Sequence, residues 1–438
     1  MSSLELPQPL DEVLTQNGVR FFRVVWCDNG GVIRGKAIHL QSPTYPLTDG
    51  VGISVAQQAI PATADMVAPD TGLAPVGEVQ LVPDPLTVTI LPYAPTHVRA
   101  LGDMYRDRRP WALCPRYFLR RSILALAEHK LEFKAAFENE FYLLRSARDL
   151  ETVDTTPFGS TRALDLNREV LDDICEALVQ QGILVEQCYA ESGPGQFEIS
   201  VRYVDAMQAS DHQIAFRETV HAIAHRHGQI ASFLPKIFEG QAGSGCHLHF
   251  SLWSAGENVT STEGALSGRS RSFMAGILHH LPALLAITAP SPNSYRRLIP
   301  RTWSGAWRAW GMDNREAALR VPSNLTGRGP LHIELKTVDA TANPYLATGA
   351  IMACGLDGLK NDLPLPEPFT VDPASVPSAE PLPRNLGQAL AALEQDGVLL
   401  AALGEPLARA FIGVRRAEWN ALQDASLDHE VRQLLVRY

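Results

Sequence analysis

Alternation of apolar and polar residues predicts a β-strand at 246–253 that has two chemically different faces. Every second residue from Cys246 to Leu252 is expected to point into a core. The residues on the other face are His247, His249 and Ser251. The Gly-Ser-Gly sequence before the strand lets a backbone or ligand approach closely. The strand therefore presents two imidazoles and a hydroxyl on one wall, although half-buried structural histidines fit the same pattern.

The same periodicity divides most of the chain beyond residue 110 into helices and strands. Strands are predicted at 132–144, 183–188, 196–203, 246–253 and 331–338, and helices at 115–128, 167–181, 208–228, 270–288 and 343–358. The proline-rich segment 363–383 is predicted to be a connector, and 386–437 is predicted to be helical. This order predicts a large unit of mixed helices and strands.

The first hundred residues predict a small β-rich unit. Apolar runs at 19–26 and 32–38 flank Asp28-Asn-Gly-Gly31, a sequence typical of a hairpin turn. Further strands are predicted at 77–82 and 87–92, and 102–116 is predicted to be a linker or functional loop because it is rich in Asp, Arg and Pro. We therefore predict an α+β fold with a small domain at 1–105 and a large domain at 106–438.

Composition excludes several classes of function. The chain has 438 residues and a net charge of −10, which disfavours a nucleic-acid surface. Its six cysteines are scattered without a C-x-x-C pair, as expected for a reducing compartment. No apolar run approaches the roughly 18 residues of a membrane span, and the N-terminus lacks a signal pattern. We therefore predict a cytoplasmic protein that binds neither membrane nor nucleic acid.

Glutamates recur at strand spacing in three further places. They are Glu138 and Glu140 in one strand, Glu191 and Glu198 around a Gly-Pro-Gly turn, and Glu334 two residues before Lys336. Taken singly, each is expected on the solvent-facing side of a sheet. If the strands share one sheet, these acids and His247 line one face and raise each other's pKa. Divalent cations relieve that repulsion, and an oxygen-rich set with one imidazole favours two Mg²⁺ or Mn²⁺ ions, as in ATP-dependent chemistry.

The two common phosphate-binding loops are missing from the sequence. It contains no G-x-x-x-x-G-K-[ST], and no G-x-G-x-x-G at a strand–helix junction, so it predicts neither a Walker-type ATPase nor a dinucleotide-binding protein. Planar guanidinium groups are the remaining candidates for binding phosphate or carboxylate. These candidates are Arg297, Arg315 and Arg320. Surface salt bridges are the alternative for all three.

Six motifs, in order, resemble those of the glutamine synthetase family. They are E-N-E at 138–140, E-S-G-P-G-Q-F-E at 191–198, G-S-G-C-H-L-H-F-S-L-W at 243–253, N-S-Y-R-R-L at 293–298, D-N-R-E-A-A-L-R-V-P at 313–322, and E-L-K followed by N-P-Y-L at 334–346. The resemblance implies a β-grasp-like N-terminal domain and a catalytic domain with a curved antiparallel sheet flanked by helices. It also implies a two-step ligase: the γ-carboxylate of glutamate takes the γ-phosphate of ATP, and an amine then displaces phosphate.

By motif position, the resemblance implies a role for each candidate residue. It implies two or more Mg²⁺ (or Mn²⁺) ions, the first held by Glu140, Glu191 and Glu198 and the second by Glu138, His247 and Glu334. It implies nucleotide contacts from His249, Ser251 and Arg320, and glutamate contacts from Gly243, Arg297 and Lys336. Arg315 and Arg320 match catalytic positions that stabilise charge on the transferring phosphoryl group.

The departures from the family pattern concern the amine. Ammonia-using members carry Gly-Tyr-Glu-Ala-Pro in the loop after N-S-Y-K-R-L-x-P, and Trp303 stands where that glutamate would be. The Asp-Gly-Ser-Ser motif that supplies an ammonia-deprotonating aspartate is missing too. Ala242 and Lys336 replace an asparagine and an arginine that usually contact glutamate. Trp303 and Trp307 are therefore candidates for the amine site, where indole covers an alkyl, aryl or cationic group; ordinary packing is the alternative.

These departures predict a γ-glutamyl-amide ligase whose acceptor is a primary amine larger than ammonia, such as a polyamine, alkylamine, ethanolamine or arylamine. The first alternative is an ammonia-using glutamine synthetase. The second is a catalytically inactive homologue that acts as a scaffold or regulator, which the intact metal set disfavours. The resemblance also implies a homo-oligomer, typically a dodecamer of two hexameric rings, in which neighbouring subunits share active sites.

Overall fold

Two β-sheets, each packed on its own hydrophobic core, organise the chain in the computed structural model, which describes residues 14, 16–42, 49–323 and 331–438. Part of the predicted N-terminal domain, residues 1–13, 15 and 43–48, therefore lies outside the described residues. The larger core fills the space between the second sheet and the helices. The α+β fold class predicted from the sequence is confirmed.

The N-terminal sheet contains seven strands within the described residues. They are β1 (Phe21–Cys27), β2 (Ile33–His39), β3 (Val51–Ser54), β4 (Glu78–Pro83), β5 (Thr89–Leu91), β6 (Ala94–Arg106) and β7 (Arg109–Pro110). Their order is β2-β1-β6-β4-β3, with β5 and β7 also paired to β6, and only the β1–β6 pair is parallel.

The prediction of a linker or loop over 102–116 is wrong. Strand β6 continues to Arg106 and turns through Asp107 and Arg108, both with positive φ, into β7. The polar residues that suggested a loop are instead paired across the fold: Asp103 accepts from Arg116 at 3.0 Å and from Arg120 at 2.8 Å. Charge in this segment therefore marks ion pairs between elements rather than an exposed connection.

The second sheet is the larger one and carries the candidate site. Its strands among the described residues are β8 (Glu132–Ser146), β9 (Glu151–Thr152), β10 (Val185–Ala190), β11 (Gln196–Val201), β12 (Val204–Asp205), β13 (Ile230–Ser232), β14 (Cys246–Ser254), β15 (Glu257–Asn258), β18 (Trp307–Met312), β19 (Ala317–Val321) and β20 (Ile333–Leu335), while β16 (Ser261–Thr262) and β17 (Ala265–Leu266) form a separate pair. The main order is β10-β11-β8-β14-β20-β19-β18. All of these pairs are antiparallel except β18–β19.

Helices cover the apolar face of this sheet and continue to the C-terminus. They are α1 (Pro115–Ala127), α2 (Thr161–Leu166), α3 (Arg168–Val179), α4 (Ala206–Arg226), α5 (Gly268–Thr288), α6 (Ser294–Arg297), α7 (Pro344–Lys360), α8 (Leu386–Leu393), α9 (Gly397–Leu403), α10 (Glu405–Leu422) and α11 (Leu427–Leu434). Helices α5 and α7 touch through Gly276 and Gly358, where a Cβ would meet the facing backbone nitrogen at 2.7 Å. Within the described ranges no single helix is long and apolar enough to cross a membrane; only α9 with α10, across a 108° bend, reaches that length and composition.

The β1–β2 turn joins the two sheets. Gly31 closes the turn with φ +73° and donates its N–H to the carbonyl of Asp28 at 3.0 Å. Asn343, which caps α7, donates to the carbonyls of Cys27 and Asp28 at 3.0 and 3.1 Å. The turn that the sequence predicts is therefore also the element that fixes the N-terminal sheet to the start of α7.

Candidate active site

Strand register brings the predicted acids onto one face of the large sheet. Glu198 on β11 lies directly opposite Glu140 on β8, and Glu138 lies opposite His247 on β14. Because cross-strand partners and i, i+2 neighbours share a face, these four side chains form adjacent rows. Glu334 on β20 extends the face, since it lies opposite His249 on one side and Arg320 on the other. Glu191 follows the end of β10.

Both histidines of β14, His247 and His249, contact the acids. His247 Nδ1 is 3.3 Å from Glu334 Oε1, and its Nε2 is 3.8 Å from Glu140 Oε1. His249 Nε2 bonds the carboxylate of Glu138 and is 3.9 Å from Glu334 Oε1. The apolar partners on the strand's other face, among them Leu248 and Phe250, are buried in the core as predicted.

Crowding of negative charge changes the pKa values of these acids. Burial, followed by the charge and hydrogen bond of Glu138, raises the pKa of Glu198 to about 11. Burial and the charge of Glu140 raise the pKa of Glu191 to about 7. Burial also raises the pKa of Glu138, but the attraction and hydrogen bond of His249 outweigh it and hold that pKa well below its usual value. The cluster therefore retains protons that a carboxylate at neutral pH would normally lose.

This arrangement fits divalent cations. A carboxylate kept protonated by its neighbours is a position where a cation would replace the proton. Ligand atoms of Glu138, His249 and Glu334 all lie within 4.8 Å of one another, so the imidazole in this group of three is that of His249 and not that of the predicted ligand His247. Burial and the positive charge of Lys336 lower the pKa of His247 to about 4, which leaves a neutral imidazole able to coordinate.

A cavity of about 600 Å³ opens beside these acids. Its wall includes Glu138, Glu198, His249, Ser251, Arg320 and His332. Trp253 donates to Ser251 at 2.9 Å and carries Lys134 over its ring at 4.2 Å. The cavity wall therefore combines carboxylates, the guanidinium of Arg320 and the hydroxyl of Ser251, which the Trp253 indole holds by a hydrogen bond. This composition suits a phosphorylated ligand with a planar base.

The predicted substrate-binding cations take three different positions. Arg320 bonds Glu334 at 2.8 Å and Lys336 lies 3.3 Å from it, so both belong to the acid cluster. Arg297 is buried and packs against Gly243, where an added Cβ would overlap the Arg297 side chain. Its guanidinium donates to the carbonyls of Thr337 and Val338 at 3.3 and 3.2 Å. Arg315 is exposed in the turn between β18 and β19.

The loop between α6 and β18 carries Trp303, half exposed and with φ +58°. Glu316 holds this strained backbone, accepting from the N–H of Arg301 at 2.9 Å and from that of Trp303 at 2.8 Å. The guanidinium of Arg315 sits 5.8 Å from the Trp303 ring centre. Trp303 therefore exposes half of its side chain, and a buried carboxylate holds its backbone conformation.

Trp307 is not brought together with Trp303. It begins β18, and its backbone bridges Pro381 in the connector. Among the described residues its ring makes no aromatic or cation–π contact with Trp303.

Sequence reasoning missed three residues at this face. His332 lies in the cavity wall with Nε2 3.1 Å from His249 Nδ1. Tyr189 lies opposite Glu198 in the sheet, and Phe158 packs edge-on against both Tyr189 and Trp303. Strand alternation from Glu191 would have found Tyr189. No pattern around Phe158 predicts its position, because it lies in an irregular segment.

Family models cover almost the whole chain. One described as "Glutamine synthetase, catalytic domain" matches residues 112–434, and one described as "Glutamine synthetase N-terminal domain" matches residues 10–111. With the fold and the acid-lined face, these matches define an ATP-dependent ligase. The chain belongs to the glutamine synthetase family, whose members use ATP, divalent metals, glutamate and either an amine or ammonia.

Relatives with different acceptors are about equally similar. The chain is 36% identical to Type-1 glutamine synthetase 1 of Dictyostelium discoideum, over 95% of this chain and 89% of that protein. It is also 36% identical to the γ-glutamylpolyamine synthetase GlnA3 of Streptomyces coelicolor, over 96% of this chain and 94% of that protein. A solved GmaS/ADP complex superposes with a TM-score of 0.86 at 30% identity and covers 98% of this chain and all of its own.

Proposed function

We propose that this protein joins glutamate to a primary amine larger than ammonia and forms a γ-glutamyl amide by way of γ-glutamyl phosphate. One observation carries the proposal: Trp303, half exposed, occupies the loop position at which ammonia-using members have a glutamate. Indole offers apolar contact where ammonium requires a carboxylate. The similarity to a polyamine-using relative is consistent with an altered acceptor.

The metal ligands proposed for this reaction are the acids on the sheet face. Glu140, Glu191 and Glu198 would hold one Mg²⁺ or Mn²⁺, and Glu138, His247 and Glu334 another, with His249 adjacent to the second set. Such ions, when bound, neutralise the triphosphate and the charge that develops during phosphoryl transfer.

The remaining side chains would bind and orient the substrates. His249, Ser251 and Arg320 are proposed to contact ATP, which the 600 Å³ cavity beside them has room to hold. Gly243, Arg297 and Lys336 are proposed to bind glutamate so that its γ-carboxylate oxygen attacks the γ-phosphorus while the bond to the ADP oxygen breaks and ADP leaves. Arg315 and Arg320 would stabilise the transferring group by bidentate hydrogen bonds. The amine nitrogen then attacks the acyl carbon and gives up a proton, and phosphate leaves with the bridging oxygen.

Ammonia is the second candidate acceptor, because a Dictyostelium glutamine synthetase is as similar as the polyamine-using relative. Phosphate release with ATP, Mg²⁺ and glutamate, measured over a panel from ammonium to larger primary amines, separates the two. We expect the highest kcat/KM with a substituted amine. Ammonium as the best acceptor would defeat the proposal.

We further propose a homo-oligomer of two stacked hexameric rings with shared active sites, located in the cytoplasm. All six cysteines are free thiols, which is consistent with a reducing compartment. The mass of the assembly in solution, measured by light scattering, tests the ring proposal; a stable monomer would contradict it.

A further inference from the structure

Three partly exposed aromatic side chains form a continuous group at the rim of the acid-lined face. Phe158 and Tyr189 are in edge-on contact at 5.6 Å, and Phe158 and Trp303 at 6.2 Å between ring centres. Their exposed fractions are 45% for Phe158, 38% for Tyr189 and 52% for Trp303. We call Phe158, Tyr189 and Trp303 the aromatic group. A contiguous exposed apolar surface is a candidate for contact with a ligand or partner.

The aromatic group is continuous with the candidate active site. Tyr189 is the cross-strand partner of Glu198, and Glu198 is the partner of Glu140. These three residues therefore form one row on one face of the sheet. At the other end of the group, Trp303 is held in position by Glu316. A ligand whose nitrogen reaches the acids would extend its substituent along these rings.

One positive charge lies directly on the group. The guanidinium of Arg315 is 5.8 Å from the centre of the Trp303 ring, whereas Arg301 of the same loop is paired with Asp372 at 3.8 Å. The carboxylate of Glu316 uses both oxygens to accept backbone N–H groups of this loop. A second ammonium held on the Trp303 ring would therefore meet the Arg315 guanidinium, which disfavours it by like-charge repulsion. An uncharged hydrocarbon substituent meets no such cost.

Resting on the proposed function, we infer that the acceptor is a primary monoamine with an uncharged hydrocarbon substituent, preferably an aromatic ring, that packs on Phe158, Tyr189 and Trp303. This class is narrower than the general amine acceptor and excludes polyamines. Aromatic substituents gain from edge-to-face contact with the rings in addition to burial of apolar surface.

Two amines of equal chain length test the charge argument. n-Butylamine and putrescine differ by one terminal ammonium, and 2-phenylethylamine adds a ring. With wild-type protein, ATP, Mg²⁺ and glutamate, we expect kcat/KM to fall from 2-phenylethylamine to n-butylamine to putrescine, by about tenfold overall. This comparison requires no variant, so it does not depend on whether a substitution folds.

The variant Phe158→Ala tests whether the aromatic group contacts the substituent of the amine. We expect the ratio of kcat/KM for 2-phenylethylamine to that for methylamine to fall about tenfold. Leu124→Ala, which removes a side chain 66% exposed on α1, is the control and should keep the wild-type ratio. The inference would be overturned if kcat/KM for putrescine equalled that for n-butylamine and Phe158→Ala kept the wild-type ratio of 2-phenylethylamine to methylamine. That result would leave the proposed function standing. Ammonium as the best acceptor would overturn both.

Discussion

At the scale of single residues, Glu334 is where the charges of the site meet. It is 1% exposed and lies within 3.3 Å of Lys336, Arg320 and His247. Burial raises its pKa, but Lys336 and the hydrogen bond from His247 outweigh burial and hold the pKa well below its usual range. A buried carboxylate so strongly kept in its charged form is available as a metal ligand at any physiological pH.

Removing a central acid should abolish turnover. We expect Glu140→Ala and Glu334→Ala each to lower kcat by at least about 100-fold, because each loses a ligand of a proposed metal site. Phosphate release measures this loss, and the shift in melting temperature on adding Mg²⁺ and ATP reports binding independently. Glu176→Ala, which removes an exposed carboxylate on α3 outside the cavity lining, is the control. Near-normal turnover in either central variant would show that the metal assignment is wrong.

The amino-acid sequence predicted the acids of the candidate site but not all the residues that surround them. Glu138, Glu140, Glu198 and Glu334 could be identified because strand spacing puts carboxylates on one face, whatever the order of the strands. His332 and Glu316 escaped for a different reason. Their importance comes from a contact with His249 in one case and with the backbone of Trp303 in the other, and both contacts depend on tertiary packing.

At the scale of elements, the loop before β18 depends on Glu316. Arg301 and Trp303 both have positive φ, which is costly for residues with a Cβ, and one carboxylate accepts from both of their N–H groups. We expect Glu316→Ala to release the loop and raise KM for the amine several-fold, with smaller effects on KM for ATP.

The control for that prediction is Asp372→Ala. Asp372 is also acidic and lies 3.8 Å from the exposed side chain of Arg301, but the backbone N–H that its carboxylate accepts is that of Ala374, outside the loop before β18. Steady-state kinetics with each substrate varied in turn should leave this variant close to wild type. Equal effects of the two substitutions would show that Glu316 has no special role.

Helices α5, α7 and α9 meet at a histidine between two carboxylates. His280 bonds Asp396 at 2.7 Å and Asp357 at 3.1 Å. Burial lowers its pKa, but the hydrogen bonds to Asp396 and Asp357 outweigh burial, so the pKa lies above the usual 6.5. Because the folded pKa exceeds the unfolded one, this stabilisation is complete below about pH 6.5 and is lost as the pH rises through the folded value.

His280→Asn should therefore be most destabilising at low pH. We expect the difference in free energy of unfolding between wild type and variant to be largest near pH 6 and to shrink towards pH 9, as measured by denaturant titration. His227→Asn, which removes a pair with the half-exposed Asp173, should give a small effect at every pH. A difference in free energy of unfolding that grows with pH would contradict the pairing of a protonated His280 with Asp396 and Asp357.

Gly31 in the β1–β2 turn and Gly18, which precedes β1, form a matched pair of glycines. Gly31 has φ +73° and a Cβ there would overlap the carbonyl oxygen of Thr341, whereas Gly18 has φ +71° with nothing within 4 Å. Gly18→Ala should cost about 1–2 kcal/mol from backbone strain alone. Gly31→Ala adds the clash and should cost clearly more, as measured by denaturant unfolding. Equal costs would mean that the turn does not pack against Thr341, before α7, as described.

At the scale of the whole molecule, periodicity predicted the elements well and their connections less well. The strands at 132–144 and 246–253 and the helix at 115–128 were found because each has an apolar face, and the helix at 270–288 because it is apolar on nearly all sides. Segment 102–116 was misjudged because Asp103 is paired with arginines of another element, which no local pattern reveals. The aromatic group combines an irregular segment, a strand and a loop, so only the fold brings its rings together.

The most direct test of the account follows one oxygen atom. Glutamate labelled with ¹⁸O in its γ-carboxylate is incubated with the protein, ATP, Mg²⁺ and n-butylamine, and the phosphate and amide products are analysed by mass spectrometry. A γ-glutamyl phosphate intermediate predicts one ¹⁸O in the phosphate for every γ-glutamyl amide formed. Amide formed together with unlabelled phosphate, or ATP hydrolysis without any amide, would contradict the account.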